Sequence, residues 1–361
     1  MLSSKILNKT LKRKPISVRF FSPQASETIY GYGDFLHPTY LPRPGSGENK
    51  RVALIPGIGI GQMFIESVEE IFKHVDVRLT LEKFDIKKIG EYDAILRGPT
   101  NENFETKDDI FLPQKLDLYA AVVHAFSIPG VKTRHNDIDI VVIRENSEGE
   151  YSTIEHEVLS GVVESIKVTT KEKSYRIAEY AFEYATLTNR SKVTVVHKAN
   201  IIKKGDGDFL NAARQVSESY PRIKLEEMIV DAACMNLITH PNFFEVMLLP
   251  NLYGSIIGNV VSGLVGGPGI APGAIIGKDI GMFEQGARCG GLGHLSTMDA
   301  NPTAFILSSC MMLRYLNLPY YADVIQDGVF RTLRKRVNLT PDLGGSAKTK
   351  DFTKEVIKNI K

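Results

Sequence analysis

The sequence predicts an α/β fold, and two observations lead to this prediction. Short apolar stretches typical of buried strands alternate with segments of helical period along most of the chain. The chain has 361 residues, of which 43% are hydrophobic and 24% charged, an ordinary globular balance. That length can bury a sizeable core, so we expect two compact lobes built from strands and helices.

The first part of the chain shows the alternation clearly. Residues 51–55 have a buried-strand pattern, and residues 62–74 repeat apolar side chains at helical spacing. Strand patterns follow at 75–84 and 92–96, whereas residues 98–114 are polar and irregular. The order strand, helix, strand is typical of α/β proteins.

The alternation continues to the end of the chain. Residues 116–123 restart as a helix or a strand, and residues 254–274 hold seven glycines that predict a tightly packed helix followed by loops. The remaining strand patterns are at 138–144, 162–170, 192–197, 227–230 and 246–249, and the remaining helical patterns are at 176–185, 209–219, 302–316 and 322–333.

The N-terminal 26 residues differ from the rest of the sequence. They hold six basic residues and no acid before Glu27, and Leu2, Ile6, Leu7 and Leu11 could share one helical face. This composition is typical of a mitochondrial targeting peptide, which we place at residues 1–21, with a cut after Phe21 and delivery to the matrix. A disordered basic tail is the alternative. Residues 22–50 read as an extended segment rich in glycine, proline and aromatic residues.

Charge and cysteine content exclude several classes of protein. The net charge of +2 is too small to indicate a nucleic-acid partner, and no stretch approaches the roughly 18 apolar residues of a membrane span. Cys234, Cys289 and Cys310 are far apart and lack metal-ligand spacing, so we expect free thiols in a reducing compartment.

A glycine-rich loop at residues 57–61 (GIGIG) follows a strand and precedes a helix. Such a loop can cradle a phosphate at the N-terminus of the helix. The spacing is not G-x-G-x-x-G, and no suitable acid follows at the usual distance. We therefore favour a tight structural turn.

Residues 144–151 (RENSEGEY) combine an arginine at a strand end with acids and a tyrosine. Arg144 is a candidate clamp for a substrate carboxylate, and the hydroxyl of Tyr151 can transfer a proton. A charged hairpin held by a salt bridge explains the same residues, and the sequence leaves both readings open.

Lys198 and Asp231 each follow an apolar strand pattern. Lys198 is a candidate general base or carboxylate binder, with a surface lysine as the alternative. Asp231 offers one carboxylate, but divalent metals require two or three. Its expected companions, including Ser255 and Asn259, are neutral, so no complete metal site is visible.

Five motifs in this order and spacing resemble the family of isocitrate and isopropylmalate dehydrogenases. They are residues 143–151 (IRENSEGEY), 196–201 (VHKANI), 250–254 (PNLYG), 263–267 (GLVGG) and 300–304 (ANPTA). Residues 161–167 (GVVESIK) and 342–345 (DLGG) are similar to subunits of the mitochondrial NAD-dependent isocitrate dehydrogenase within that family.

The resemblance covers residues 51–361 and implies a two-lobed isopropylmalate/isocitrate dehydrogenase-like fold that is not a Rossmann fold. It implies a central mixed sheet flanked by helices. Residues 51–122 and 252–361 would form a large lobe, and residues 123–251 a small lobe with a dimer-clasping arm.

The same resemblance implies roles for individual residues. Catalytic members bind isocitrate through a serine, an asparagine and three arginines, use a tyrosine and a lysine for proton transfer, and hold Mg²⁺ or Mn²⁺ with three aspartates. Four of these positions are matched by Arg144, Tyr151, Lys198 and Asp231. The others carry Lys107, Asp109, Pro113, Val123, Ser255 and Asn259. The resemblance also implies that Asn301 contributes to NAD binding.

These losses imply a chain that is not catalytic on its own. In family dimers the lysine and one metal aspartate serve the partner's site, so Lys198 and Asp231 would complete a catalytic partner that binds the metal and NAD. The chain would be a regulatory or structural subunit of a hetero-oligomeric isocitrate dehydrogenase. Related regulatory subunits bind citrate and ADP as effectors, although Pro113 and Lys107 argue against that here.

The alternative is a pseudoenzyme that serves as a structural subunit of another large mitochondrial assembly. Ile58, which replaces an aspartate in the first glycine loop, favours this alternative, and residues 27–50 would then be a docking arm. An active dehydrogenase for an unusual substrate conflicts with the incomplete metal site.

Overall fold

The computed structural model describes residues 50–99, 112–287 and 298–361. Within these ranges the strands are β1 (Lys50–Ile55), β2 (Leu79–Lys83), β3 (Ala94–Arg97), β4 (Leu118–Phe126), β5 (Asp139–Glu145), β6 (Gly149–Leu159), β7 (Val162–Val168), β8 (Lys192–His197), β9 (Lys224–Ile229), β10 (Val246–Leu249), β11 (Pro272–Gly277) and β12 (Gly281–Gln285). The α-helices are α1 (Gly61–Val75), α2 (Lys171–Leu187), α3 (Gly205–Ser217), α4 (Val230–Thr239), α5 (Asn251–Leu264), α6 (Thr303–Tyr315), α7 (Pro319–Lys335) and α8 (Thr349–Asn359). Short 3₁₀ helices lie at Ile86–Glu91, Pro241–Phe243 and Pro341–Leu343.

Ten strands form one mixed sheet in the order β2-β1-β3-β12-β11-β4-β5-β10-β8-β9. The pairs at both ends of the sheet are parallel, and the pairs β12-β11, β11-β4 and β4-β5 at its centre are antiparallel. The α/β prediction with a central mixed sheet is confirmed. The sheet continues through β4 and β5, where we place the change from large to small lobe, and the lobe boundaries stay a prediction.

Burial in the core explains why these segments form strands and helices. Strands β3, β10 and β11 are buried along their whole length, as expected for a sheet that is covered on both faces. Helix α6 is likewise buried throughout, since it packs against this sheet and its neighbouring helices.

Local patterns did not reveal every element. The predicted strand at 227–230 overlaps β9, but the helix α4 that follows it and the helix α8 were not predicted. We expected the glycine-rich stretch 254–274 to end in loops, whereas β11 begins at Pro272, and β12 was not predicted. Glycine fits inside β11 because a Cβ at Gly273 would lie 2.7 Å from the Cα of Gly286, so neighbouring backbones approach closely there.

The glycine-rich loop is a tight turn, as we favoured. Gly57 and Gly59 have positive φ angles of 72° and 57°. The amide of Ile58 donates to the carbonyl of Pro99 at 2.9 Å, and a Cβ at Gly61 would lie 1.7 Å from the carbonyl oxygen of Pro56. The loop therefore needs glycine for close backbone packing.

A separate two-stranded antiparallel sheet consists of β6 and β7. Its tip is solvent-exposed on both faces, and its apolar side chains are about half exposed, including Ile154 at 44% and Ile166 at 47%. This hairpin lies within residues 123–251, for which the resemblance implies a dimer-clasping arm, and its role as that arm stays a prediction.

Several predictions lie outside the described residues. These are the targeting peptide, nearly all of residues 22–50, Lys107, Asp109 and Cys289. In the part that the structure describes, no helix combines the length and apolarity needed to cross a bilayer.

Candidate functional site

A cavity lies between the N-terminal half of α5 and the strands at the centre of the sheet. Its walls come from β4, β5, β11, β12 and α5. The fold brings Arg144 together there with three positions at which the resemblance implies lost charge: Val123, Ser255 and Asn259. The altered positions therefore belong to one site, although 132 and 136 residues separate the first from the other two.

Among the described residues, Arg144 is the one basic side chain that lines this cavity, and its contacts hold it in a fixed orientation. It ends β5 and is only 8% exposed. Its guanidinium donates to the Oδ1 of Asn146 at 2.6 Å and lies 5.7 Å from the centre of the Tyr151 ring. Its aliphatic part packs on α5, because a Cβ at Gly254 would lie 2.4 Å from its Cγ.

The two buried glutamates of this segment bind backbone amides and so shape the turn. Glu145 accepts hydrogen bonds from the amides of Ser147 and Glu148 at 2.9 and 3.0 Å. Burial raises the pKa of Glu145. Glu148 accepts from the amide and hydroxyl of Thr170 at 2.7 and 3.0 Å, just before α2. These contacts fix the end of the strand that carries Arg144.

Lys198 and Asp231 form a second group, and neither lines the cavity. Lys198 follows β8, and Asp231 is in the first turn of α4. The ammonium of Lys198 donates to the carboxylate of Asp231. The Asp231 side chain is 68% exposed and the Lys198 side chain 24%. The pair thus lies at the surface of this chain.

A buried carboxylate positions the backbone of Lys198. Asp206, which is 1% exposed, accepts from the Lys198 amide at 2.7 Å and from the ammonium of Lys167 at 2.8 Å. Burial acts to lower the pKa of Lys167, but the carboxylates of Asp206 and Glu150 outweigh it and raise the pKa. Sequence reasoning missed Lys167 and Asp206, because 39 residues separate them and no local pattern joins them.

Arg97 and Glu284 form another pair that the sequence did not reveal, and Glu284 lines the cavity. Arg97 is 1% exposed, and its Nε donates to Glu284 at 2.6 Å. Among the described residues, Glu284 provides the one carboxylate that lines the cavity. Because this carboxylate pairs with Arg97, it adds little net negative charge to the site.

The described residues of this chain do not fit a divalent metal. No group of three or more histidine, cysteine, aspartate or glutamate side chains within them is placed to hold one. Asn259 is neutral and donates to the carbonyl of Ser255 at 2.9 Å, and Asp231 is paired with Lys198. Hard cations such as Mg²⁺ need several converging oxygen ligands.

Asn301 lies outside this cavity and uses both ends of its amide within the fold. Its Nδ2 donates to Asp342 at 2.9 Å, and its Oδ1 accepts from the amide of Thr303 at 3.0 Å. These bonds join the start of α6 to the turn at Pro341–Leu343. A role of Asn301 toward NAD stays a prediction.

Comparison with known proteins agrees with this fold. Residues 72–356 match the protein family described as isocitrate/isopropylmalate dehydrogenase. The chain therefore belongs to that family. A crystal structure of isocitrate dehydrogenase from Methylococcus capsulatus superposes with a TM-score of 0.82 at 31% identity, covering 86% of this chain and 99% of that one.

The similar curated proteins include named regulatory subunits. Mitochondrial regulatory subunit 1 of NAD isocitrate dehydrogenase from Arabidopsis thaliana is 44% identical over 341 residues, or 89% of this chain and 93% of that protein. The mitochondrial gamma subunit of the Homo sapiens enzyme is 44% identical over 346 residues, covering 91% and 88%. Both are named mitochondrial, which confirms the predicted mitochondrial location.

Proposed function

We propose that this chain is a regulatory, non-catalytic subunit of a hetero-oligomeric NAD-dependent isocitrate dehydrogenase in the mitochondrial matrix. The observation that carries the proposal is the separation of two sets of residues. Val123, Ser255 and Asn259 lie in the chain's own cavity, whereas the charged pair Lys198 and Asp231 lies outside it and at the surface. A subunit that contributes residues to the active site of a partner needs only Lys198 and Asp231.

The chemistry of the cavity argues against turnover by this chain alone. Isocitrate oxidation and decarboxylation build up negative charge, which metal ions and cations stabilise. In this cavity a valine, a serine and an asparagine stand at three of the positions that would supply charge. Each lost charge-assisted contact costs about 1.5–3 kcal/mol of binding.

The surface around Lys198 and Asp231 supports association with a partner. Ile201, in the turn that follows Lys198, is 69% exposed, and Met235, one helical turn after Asp231 on α4, is 60% exposed. Exposed apolar groups beside a charged pair are typical of protein interfaces. The hairpin β6–β7 adds a second apolar surface, and an isolated two-stranded sheet gains stability when another layer covers it.

Within this proposal the partner binds the metal and NAD and carries out the reaction. Lys198 would hold or move a proton at the partner's substrate, and Asp231 would contribute one carboxylate to the partner's metal ion. The first 21 residues are proposed to direct the chain to mitochondria and to be removed there.

Co-expression with a catalytic isocitrate dehydrogenase subunit tests the proposal. We expect the two chains to co-purify, and we expect Lys198→Ala to lower kcat of the complex by about 10²-fold or more, the usual contribution of a proton-transfer group. Lys354→Ala is the matched control, since Lys354 is an exposed lysine on α8.

Assembly must be measured alongside turnover. Sedimentation of the Lys198→Ala complex should match that of the unaltered complex, so that a lower kcat reports chemistry. Ordinary kcat in the variant complex would reject the proposed role of Lys198. Co-purification with a different mitochondrial assembly and no catalytic subunit would favour the structural alternative. Isocitrate turnover by the isolated chain would show that it is catalytic.

A further inference from the structure

Another cavity, of about 740 Å³, lies at the opposite end of α4 from Asp231. Its walls are the C-terminal end of α4, the 3₁₀ helix Pro241–Phe243 and the segment at residues 134–136 that precedes β5. The volume is within the range of roughly 300–1,000 Å³ that is usual for small-molecule sites. It shares no lining residue with the cavity that contains Arg144.

The lining of this cavity is rich in hydrogen-bond donors, and Pro241 and Phe243 are its apolar members. It includes Arg134, two histidines, His135 and His240, and the amide side chains of Asn136 and Asn236. No aspartate or glutamate lines it among the residues that the structure describes. Arginine presents a planar fork of N–H groups that matches carboxylate and phosphate oxygens.

Two of these polar groups have no partner among the described residues, the exposed Arg134 guanidinium and a buried ring nitrogen of His135. The Arg134 guanidinium forms no hydrogen bond and no ion pair with the described residues. The Nε2 of His135 is buried and has no hydrogen-bond partner. Buried polar atoms are nearly always paired, so an unpaired ring nitrogen beside a cavity is suited to an incoming oxygen.

The electrostatic balance favours an anion. The C-terminal end of a helix carries a partial charge of about −0.5, which opposes anion binding, but the full positive charge of Arg134 is larger. The ammonium of Lys192 lies 3.8 Å from the centre of the Phe243 ring on the cavity wall and adds positive potential. The carboxylate of Glu226, 3.7 Å from that ammonium, partly offsets this potential.

We propose that this cavity binds a small multivalent oxyanion, either a phosphate or a polycarboxylate. Arg134 binds two of the oxygens, and the Nε2 of His135 contacts a third. The ligand then contacts the end of α4, the helix that carries Asp231 in its first turn.

Calorimetry on the purified full chain tests the proposal, with inorganic phosphate and citrate as separate probes at constant ionic strength. We expect saturable binding of one probe or both, and the tighter one identifies the ligand class. Arg134→Ala should weaken that binding by tenfold or more, and His135→Gln should weaken it severalfold. Arg222→Ala is the matched control, because it removes the same charge from another exposed position.

The control separates a specific site from general charge attraction. We expect Arg222→Ala to change the dissociation constant by less than twofold. The proposal is overturned if neither probe binds saturably, if Arg134→Ala leaves binding unchanged, or if both arginine variants weaken binding equally. None of these results depends on activity of a partner complex, so they are independent of the proposed subunit role.

Discussion

The ammonium of Lys198 donates a hydrogen bond to the carboxylate of Asp231, 33 residues further along the chain. Lys198 follows β8, and Asp231 opens the helix that follows the neighbouring strand β9. Because β8 and β9 are parallel, their carboxyl ends lie side by side and bring the two residues together. The two groups that we propose for a partner's site therefore form one unit.

The role of Asp231 predicts a change in metal dependence. In a complex with a catalytic partner, Asp231→Asn should raise the Mg²⁺ concentration for half-maximal turnover by about tenfold or more, because an amide is a weaker ligand for a hard cation. Turnover measured against Mg²⁺ concentration checks this. Asp351→Asn, in the first turn of α8, is the control. Equal metal curves for the two variants would show that Asp231 does not reach the metal.

The contact between α5 and Arg144 predicts a loss of stability. Gly254→Ala places a methyl group 2.4 Å from the Cγ of Arg144, so the free energy of unfolding should fall by about 1–3 kcal/mol. Gly263→Ala on the same helix meets no atom within 4 Å and should be neutral or stabilise by up to about 1 kcal/mol. Denaturant unfolding of both variants measures the difference. Equal effects would contradict the tight packing against Arg144.

The Asp139 cluster predicts acid sensitivity. Burial acts to raise the pKa of Asp139, but His124, with its Nε2 2.7 Å from the carboxylate, and Arg190, which donates at 2.6 Å, hold that pKa well below its usual value near 3.9. A folded-state pKa below the unfolded one means that the unfolded chain binds more protons as pH falls. The stabilisation is therefore complete above about pH 5 and is lost as pH falls below about 4.

Asp139→Asn should test this sign directly. We expect the variant to be less stable at pH 7 by about 1–3 kcal/mol and the difference from the unaltered chain to shrink as pH falls below about 4. Asp137→Asn, two residues away and exposed, should show no such convergence. A stability difference that is the same at pH 7 and pH 3 would contradict the prediction.

The hairpin β6–β7 predicts an effect on assembly. Ile154 and Ile166 are direct cross-strand partners, and both are nearly half exposed. Replacing both with serine should weaken association with a catalytic subunit by about tenfold or more, because the partner would no longer bury their apolar surface. Ile86→Ser is the control, since Ile86 is 51% exposed on a 3₁₀ helix away from the hairpin. Association measured by sedimentation should be unchanged in the control and lower in the double variant.

Local sequence patterns predicted the elements whose own residues show a clear period. The strand β1 and the helix α1 lie within one residue of the predicted 51–55 and 62–74. Strand β11 was missed because its proline and glycines indicate a loop. It forms a strand because its backbone pairs with both β4 and β12, and Gly273 fits where neighbouring backbones approach closely.

The sequence by itself determined the fold class, the family resemblance and the identity of the altered positions. Strand and helix periods are local, and the motifs are read from consecutive residues. Only the tertiary structure placed Val123, Ser255 and Asn259 in one cavity. It also joined Lys198 to Asp231, whose pairing depends on the order of strands in the sheet.

The same reason applies to Arg97 and Glu284, which pair across 187 residues because β3 lies beside β12. No local sequence pattern predicts that β3 and β12 are neighbours, since the order of strands in the sheet results from packing of the whole core. The sequence thus identified a chain with an altered site, and the tertiary structure decided that Lys198 and Asp231 lie outside that site, at the surface.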